Sequence, residues 1–229
     1  AWPRRIIQAA FLIFIFSLVV IRTLMENGIP VPWNIPGMHA ICPFGAVETV
    51  GRLITQGSFI PKIKESNFWL FLAATGSTIL FGALFCGWLC PLGSVQDWIG
   101  RLGRKIFKKK FNRFIPERLD KILGYLRYIV LGLIIIQTTR LVHLVFANID
   151  PYYALLHFWT GQALPGALIV LGIVLTAGLF VERPWCRWLC PFGAVQGLIQ
   201  LISPWKIRRN TSLCIDCGKC SRICPMRIP

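Results

Sequence analysis

The chain has 229 residues, 55% of them hydrophobic and only 15% charged, with a mean hydropathy of +0.62. A soluble domain carries about 25% charged residues, so this composition excludes an ordinary soluble globule and predicts an all-α membrane protein. The net charge of +16 does not make it a nucleic-acid binder, because the cations flank apolar runs rather than forming a folded reader domain.

In chain order, four apolar runs are long enough to cross a hydrocarbon core about 30 Å thick: 6–25, 68–89, 122–145 and 164–181. The first follows "PRR" but is too long for the apolar region of a signal peptide and has no small-residue cleavage site behind it, so it reads as a span. The connection 26–67 contains "MHAICPFGAV" (38–47). After the second run comes 101–121, with nine Lys and Arg against Glu117 and Asp120. Short loops rich in Lys and Arg stay on the cytoplasmic side. Arg4, Arg5 and "KIRR" (206–209) agree, which puts both termini in the cytoplasm and segments 26–67 and 146–163 outside. The basic run 101–121 reads as a surface facing lipid headgroups, each charge contributing about 1 kcal/mol near anionic lipid. The sharper alternative is a docking face for an acidic redox protein such as a ferredoxin or flavodoxin. The expected organisation is a four-span membrane domain over 1–205 and a small cluster-binding segment over 206–229.

An internal repeat runs through the membrane domain. "CGWLCPLGSVQDWI" (86–99) and "CRWLCPFGAVQGLI" (186–199) are offset by 100 residues and share nine of fourteen positions. Each follows a span that runs inward, and each continues into an amphipathic stretch predicted to lie along the inner membrane surface as an interfacial helix. Parallel repeats of this kind often build one shared site at their interface.

The strongest chemical signal is "CIDCGKCSRICP" (214–225). Its C-x2-C-x2-C-x3-C-P spacing lets Cys214, Cys217 and Cys220 reach three corners of one [4Fe–4S] cubane, with Gly218 permitting close backbone approach. Cys224 points away, toward a neighbouring cluster where there is one. Zinc favours two C-x2-C pairs separated by a longer loop, and disulfides are foreign to the cytoplasm. Cys86, Cys90, Cys186 and Cys190 then supply four more thiolates from the two repeats, giving at least two clusters. Alternatively, Cys190 and Cys224 are exchanged between clusters; spacing does not choose. Arg183, Arg187, Lys219 and Arg222 are placed to raise cluster potentials through their charge. Cys42 is left over. Its "CPFGAV" copies 190–195, but Met38 stands where the first cysteine would be. It is either a retained turn with a buried thiol or a ligand of an extra redox centre.

"FCGWLCPLG", "CRWLCPFGAV" and "CIDCGKCSRICPM" resemble the membrane-bound iron–sulfur proteins of the NapH and NosR type. The resemblance covers all four runs and the tail. It implies quinol oxidation or electron exchange across the membrane, with cytoplasmic clusters and flavin-bearing partners. This chain shows one full ferredoxin motif where such proteins usually have two, the second being expected past Pro229, and no large periplasmic flavin domain.

On the outer side, His39, His143, Asp150 and His157 are candidates for a quinone site, since a quinol needs an acceptor for each proton it releases. The bland alternative is an aromatic belt with ordinary polar caps. The CxxCH signature of attached haem is missing. The function expected is that of an electron-transfer subunit linking a quinone pool or flavin partner to a ferredoxin or reductase. The alternative is a membrane iron–sulfur redox sensor or reductase-maturation factor.

Overall fold

The computed structural model of the chain describes residues 2–26, 28, 65–82, 84–108, 111–112, 114–141, 149–161, 163–204, 214–215 and 224. The expectations placed on His39, Cys42, His143, Cys217, Cys220, Lys219 and Arg222 fall outside these residues, as does most of the C-terminal segment.

The described residues are helical, without strands. Helix α1 (Trp2–Glu26) is followed by α2 (Glu65–Phe81), a π-helical turn (Phe85–Leu89) and α3 (Pro91–Phe107). Then come α4 (Glu117–Leu141), α5 (Pro151–His157), α6 (Pro165–Phe180), α7 (Pro184–Trp188) and α8 (Pro191–Gln200). Among the described residues, one helix passes for a membrane crossing on length and composition together. It is α1, whose stretch Trp2–Met25 has a hydropathy of 2.3. The apolar stretches Trp69–Phe81 and Pro165–Phe180 are shorter, and α4 has the length but carries Arg127 mid-way.

The second predicted run, 68–89, does not stay helical to its end. Gly82 adopts φ +79, which stops α2 and caps it through its N–H to the Thr78 carbonyl. The first Cys-x-x-x-Cys therefore sits on a separate turn. Pro91 and Pro191 do not end the predicted spans either: each occupies the first position of a new helix, where a missing N–H costs nothing.

The packing shows a larger repeat than the sequence motif. One unit is α1, α2, the π turn and α3; the other is α4, α6, α7 and α8. Within each unit the leading helix packs on the cysteine turn and on the helix after it: α1 on the π turn and α3, α4 on α7 and α8. Between units the partners cross, α3 packing on α6 and α8 on α2. The cysteine turns lie where the units meet. Helix α5 has no described counterpart and packs on α6, α3 and α1.

The surface is inverted relative to that of a soluble bundle: large apolar side chains cover it, while polar groups share the interior with hydrophobic clusters. Ile6, Ile13, Trp69, Ile122, Ile129, Ile173 and Ile202 are exposed, whereas Gln8, Thr78, Gln96, Asp97, Gln196 and His157 are buried. Helix α3 states the pattern most clearly. Gly93, Ser94, Gln96, Asp97, Gly100 and Gly103 face the bundle, while Leu102 and Ile106 face out. A Cβ at Gly103 would lie 2.1 Å from the Leu179 carbonyl oxygen, so only glycine permits this approach of α3 to α6. Helix α3 is thus an integral layer of the bundle rather than a helix laid on its surface.

Candidate metal centre

The two cysteine turns, one π-helical and one α-helical, end on second cysteines of nearly the same backbone conformation. Cys90 (φ −66, ψ 118) and Cys190 (φ −66, ψ 114) are the N-cap residues of α3 and α8. Their N–H groups donate to the carbonyls of Phe85 and Trp185, each at 2.9 Å. Each proline then starts the next helix, leaving orphan amides of its first turn near the sulfur. Gly193 N–H donates to Cys190 Sγ at 3.3 Å, whereas Cys90 makes no such cap bond. Glycine at 93 and 193 keeps the turn tight. A Cβ would lie 2.8 Å from the Cys86 carbonyl oxygen at the first and 3.3 Å from that of Cys186 at the second.

Cys86, Cys90, Cys186 and Cys190 are partly buried free thiols that lie within one another's electrostatic reach. Burial, and then the charge of neighbouring Cys186, pushes the Cys90 thiol up to about 12. The same two causes push Cys190 well up, and burial pushes Cys186 up. Four such sulfurs ionise together only around a centre of positive charge. Among the described residues, no three His, Cys, Asp or Glu side chains converge tightly enough to hold a single metal ion. Four free thiols from two turns, with a first-turn amide donating to a sulfur, are the donor set of an iron–sulfur cluster. The residues present therefore fit an iron–sulfur cluster.

A buried ion-pair network braces this site. Asp97 on α3 receives Arg183 Nε at 2.5 Å and Nη2 at 2.7 Å, Arg4 Nη2 at 2.5 Å and Gln8 Nε2 at 3.0 Å. Arg183 also donates to the Cys86 carbonyl at 3.0 Å, and Arg4 and Gln8 reach the Gly87 carbonyl. Burial works to raise the Asp97 pKa, but the hydrogen bonds and charge of Arg183, with Gln8 and Arg4, hold the carboxyl below its usual range. Arg187, expected to lend charge to a cluster, is instead ion-paired with Asp120 and hydrogen-bonded to Asn112. Its charge is largely neutralised there. The sequence reading missed Gln8, Asp97 and Asp120. The signal available was a lone carboxylate inside an otherwise basic or apolar repeat.

Of the expected outer residues, Asp150 and His157 lie among the described ones. Asp150 caps α5, accepting the Tyr152 N–H at 3.0 Å. Burial pushes its carboxyl up to about 6 against the opposing pull of the Tyr152 and Tyr153 amides. His157 is buried, its Nδ1 lies 3.2 Å from the Tyr153 carbonyl, and its ring stacks on Tyr153 at 4.1 Å. Ala154 and Leu155 of α5 belong to the same buried cluster as Leu92 and Trp185, against which Cys90 and Cys190 pack. Helix α5 thus adjoins the layer that carries the cysteines.

Comparison with known proteins fits this geometry. Two families, each described as a 4Fe-4S binding domain, match residues 66–110 with 162–210 and residues 207–229. The putative electron transport protein YccM of Escherichia coli is 36% identical over 202 residues, 84% of this chain and 55% of that protein. The ferredoxin-type protein NapH of Haemophilus influenzae is 34% identical over 158 residues, 68% of this chain and 50% of that protein. An uncharacterized protein of Methanocaldococcus jannaschii is 31% identical over 188 residues, 82% of this chain and 74% of that protein. The chain belongs to the NapH/NosR-type family of 4Fe-4S proteins. It spans about half the length of the Escherichia coli and Haemophilus relatives. No solved structure matches it.

Proposed function

We propose that this NapH/NosR-type chain is a multi-pass membrane subunit. It takes electrons from a quinol or a flavin partner and passes them singly through two clusters to a redox protein. The observation that carries this reading is the meeting of Cys86, Cys90, Cys186 and Cys190 from two repeats in one buried layer. These four hold the first cluster, and Cys214, Cys217 and Cys220 hold three corners of the second, which faces the partner. The clusters supply one-electron storage. The protein holds the ligands, excludes water and places charge.

The inverted surface supports membrane insertion. Hydrocarbon makes exposed Ile, Phe and Trp free of penalty and drives Asp97, Arg183 and the glutamines inward. Helices α1, α2, α4 and α6 are the four crossings, the shorter ones aided by flanking cations reaching the interface. Arg4, Arg5, Arg104 and Lys105 then mark the cytoplasmic side, where both termini lie.

A quinol gives up two electrons and two protons. Asp150 and His157 on α5 are the described groups suited to receive protons, Asp150 because its carboxyl titrates near 6. The packing of α5 beside the cysteine layer shortens the electron path that a quinol on the outer side would otherwise face. His39, His143 and Cys42 lie on the same predicted side. Anaerobically purified protein, mixed with a reduced short-chain quinol and followed by EPR, tests the proposal. Cluster reduction within seconds supports it. Clusters inert to quinol and to flavoprotein donors contradict it and favour a regulatory role, the one named for the 28%-identical NosR of Pseudomonas aeruginosa.

A further inference from the structure

Two buried glutamines occupy the same place in the two repeats, Gln96 on α3 and Gln196 on α8. They are 0% and 2% exposed, and a buried amide must find partners or destabilise the fold. The two find different ones. Gln96 Nε2 donates across the repeat boundary to Cys186 Sγ at 3.6 Å. The Thr78 hydroxyl donates to Gln196 Oε1, and the Gln196 Nε2 is left with no acceptor among the described residues. A single residue explains the divergence. Thr78 stands 100 positions before Gly178, so α2 offers Gln196 a hydroxyl, while α6 offers Gln96 none. Glycine at 178 leaves room for α3, with Ile99 Cγ2 3.3 Å from where a Cβ would lie.

We propose that Gln96 is a positioning residue that sets the redox potential of the cluster held between the repeats, and that Thr78 keeps Gln196 from doing the same at the opposite corner. An N–H donated to a ligand sulfur favours the more negative, reduced state and so raises the potential. With one such donor on the Cys186 side and none on the equivalent side, the site is electrically uneven despite its repeated motif.

This inference rests on Cys186 being a cluster ligand. The test is an EPR-monitored potentiometric titration of the detergent-solubilised full chain, with iron and sulfide counted in each variant. Gln96→Leu removes the donor at similar volume and is expected to lower the midpoint potential by up to about tenfold in the reduction equilibrium, about 59 mV for one electron. Gln196→Leu is expected to leave it unchanged. Thr78→Ala releases Gln196 and is expected to raise it. Equal shifts in the two glutamine variants, or none in either at full iron content, would overturn the proposal. If Gln96→Leu fails to hold its cluster, Thr78→Ala decides alone: a rise supports the proposal and no change overturns it. Full iron in Cys186→Ser would instead overturn the ligand assignment beneath it.

Discussion

Asp97→Asn is the most informative structural perturbation, because one carboxylate joins three parts of the bundle. It ties α3 to α1 through Arg4 and Gln8, and to the segment after α6 through Arg183, which in turn holds the Cys86 carbonyl. The carboxylate and Arg183 are 5% and 6% exposed as side chains. Removing one member of a buried pair leaves an unpaired charge and costs about 3–5 kcal/mol, a large share of a typical stability of about 5–15 kcal/mol. The pair of Arg104 and Glu182 is the internal control. Arg104 is 44% exposed, so Glu182→Gln is expected to cost about 1 kcal/mol or less. Thermal unfolding in detergent, with iron content measured alongside, reads both. Asp97→Asn is expected to unfold much earlier and to lose iron from the inter-repeat site, while Glu182→Gln does neither. Equal behaviour of the two variants would refute the bracing role.

Gly103→Ala must push α3 off α6 and is expected to cost at least the 1–3 kcal/mol or so typical of overpacking, read by thermal unfolding. Gly132→Ala, with open space at its Cβ, is expected to be neutral or stabilising by up to about 1 kcal/mol in the same assay. Gly93→Ala is expected to impair iron loading more than Gly193→Ala, in the order of their 2.8 and 3.3 Å approaches to the cysteine carbonyls. Asp150 has a raised pKa, so its contribution to stability is fully present below about 4 and is lost as pH rises through about 6. Asp150→Asn is expected to abolish that dependence in pH-resolved unfolding and to remove a step near pH 6 from quinol-driven cluster reduction. Asp97 has the opposite sign. Its contribution is present above about 4 and is lost as pH falls through its lowered pKa.

Much of the site was legible in the sequence because its chemistry is written as spacing. Two Cys-x-x-x-Cys-Pro turns offset by 100 residues gave the repeat, and the structure brings their sulfurs to one layer, with the second cysteines matching in backbone conformation. What spacing did not give was the extent of the repeat. The leading helices α1 and α4 share little sequence, and their equivalence emerges only from what they pack against. The end of α2 was also misplaced. Hydropathy runs unbroken to Leu89, whereas Gly82 turns the backbone at Phe81. Arg187 looked like a cluster cation because Asp120, its partner, lies 67 residues away. The glutamines were within reach of the sequence, since both belong to the nine shared positions, but their difference hangs on Thr78 and Gly178, outside the motif. Helix α3 read as a surface helix because its composition is amphipathic; its small and polar face is the buried one.

The central claim is that the four cysteines of the two repeats hold one cluster, separate from the one at the C-terminal motif. Iron and acid-labile sulfide counting, with EPR of the reduced protein, tests it directly on Cys86→Ser and Cys186→Ser beside a Cys217→Ser variant. The account predicts that the first two lose the same cluster and keep the other, and that Cys217→Ser does the reverse. Full cluster content in Cys86→Ser or Cys186→Ser would contradict it, as would the loss of the same signal in all three.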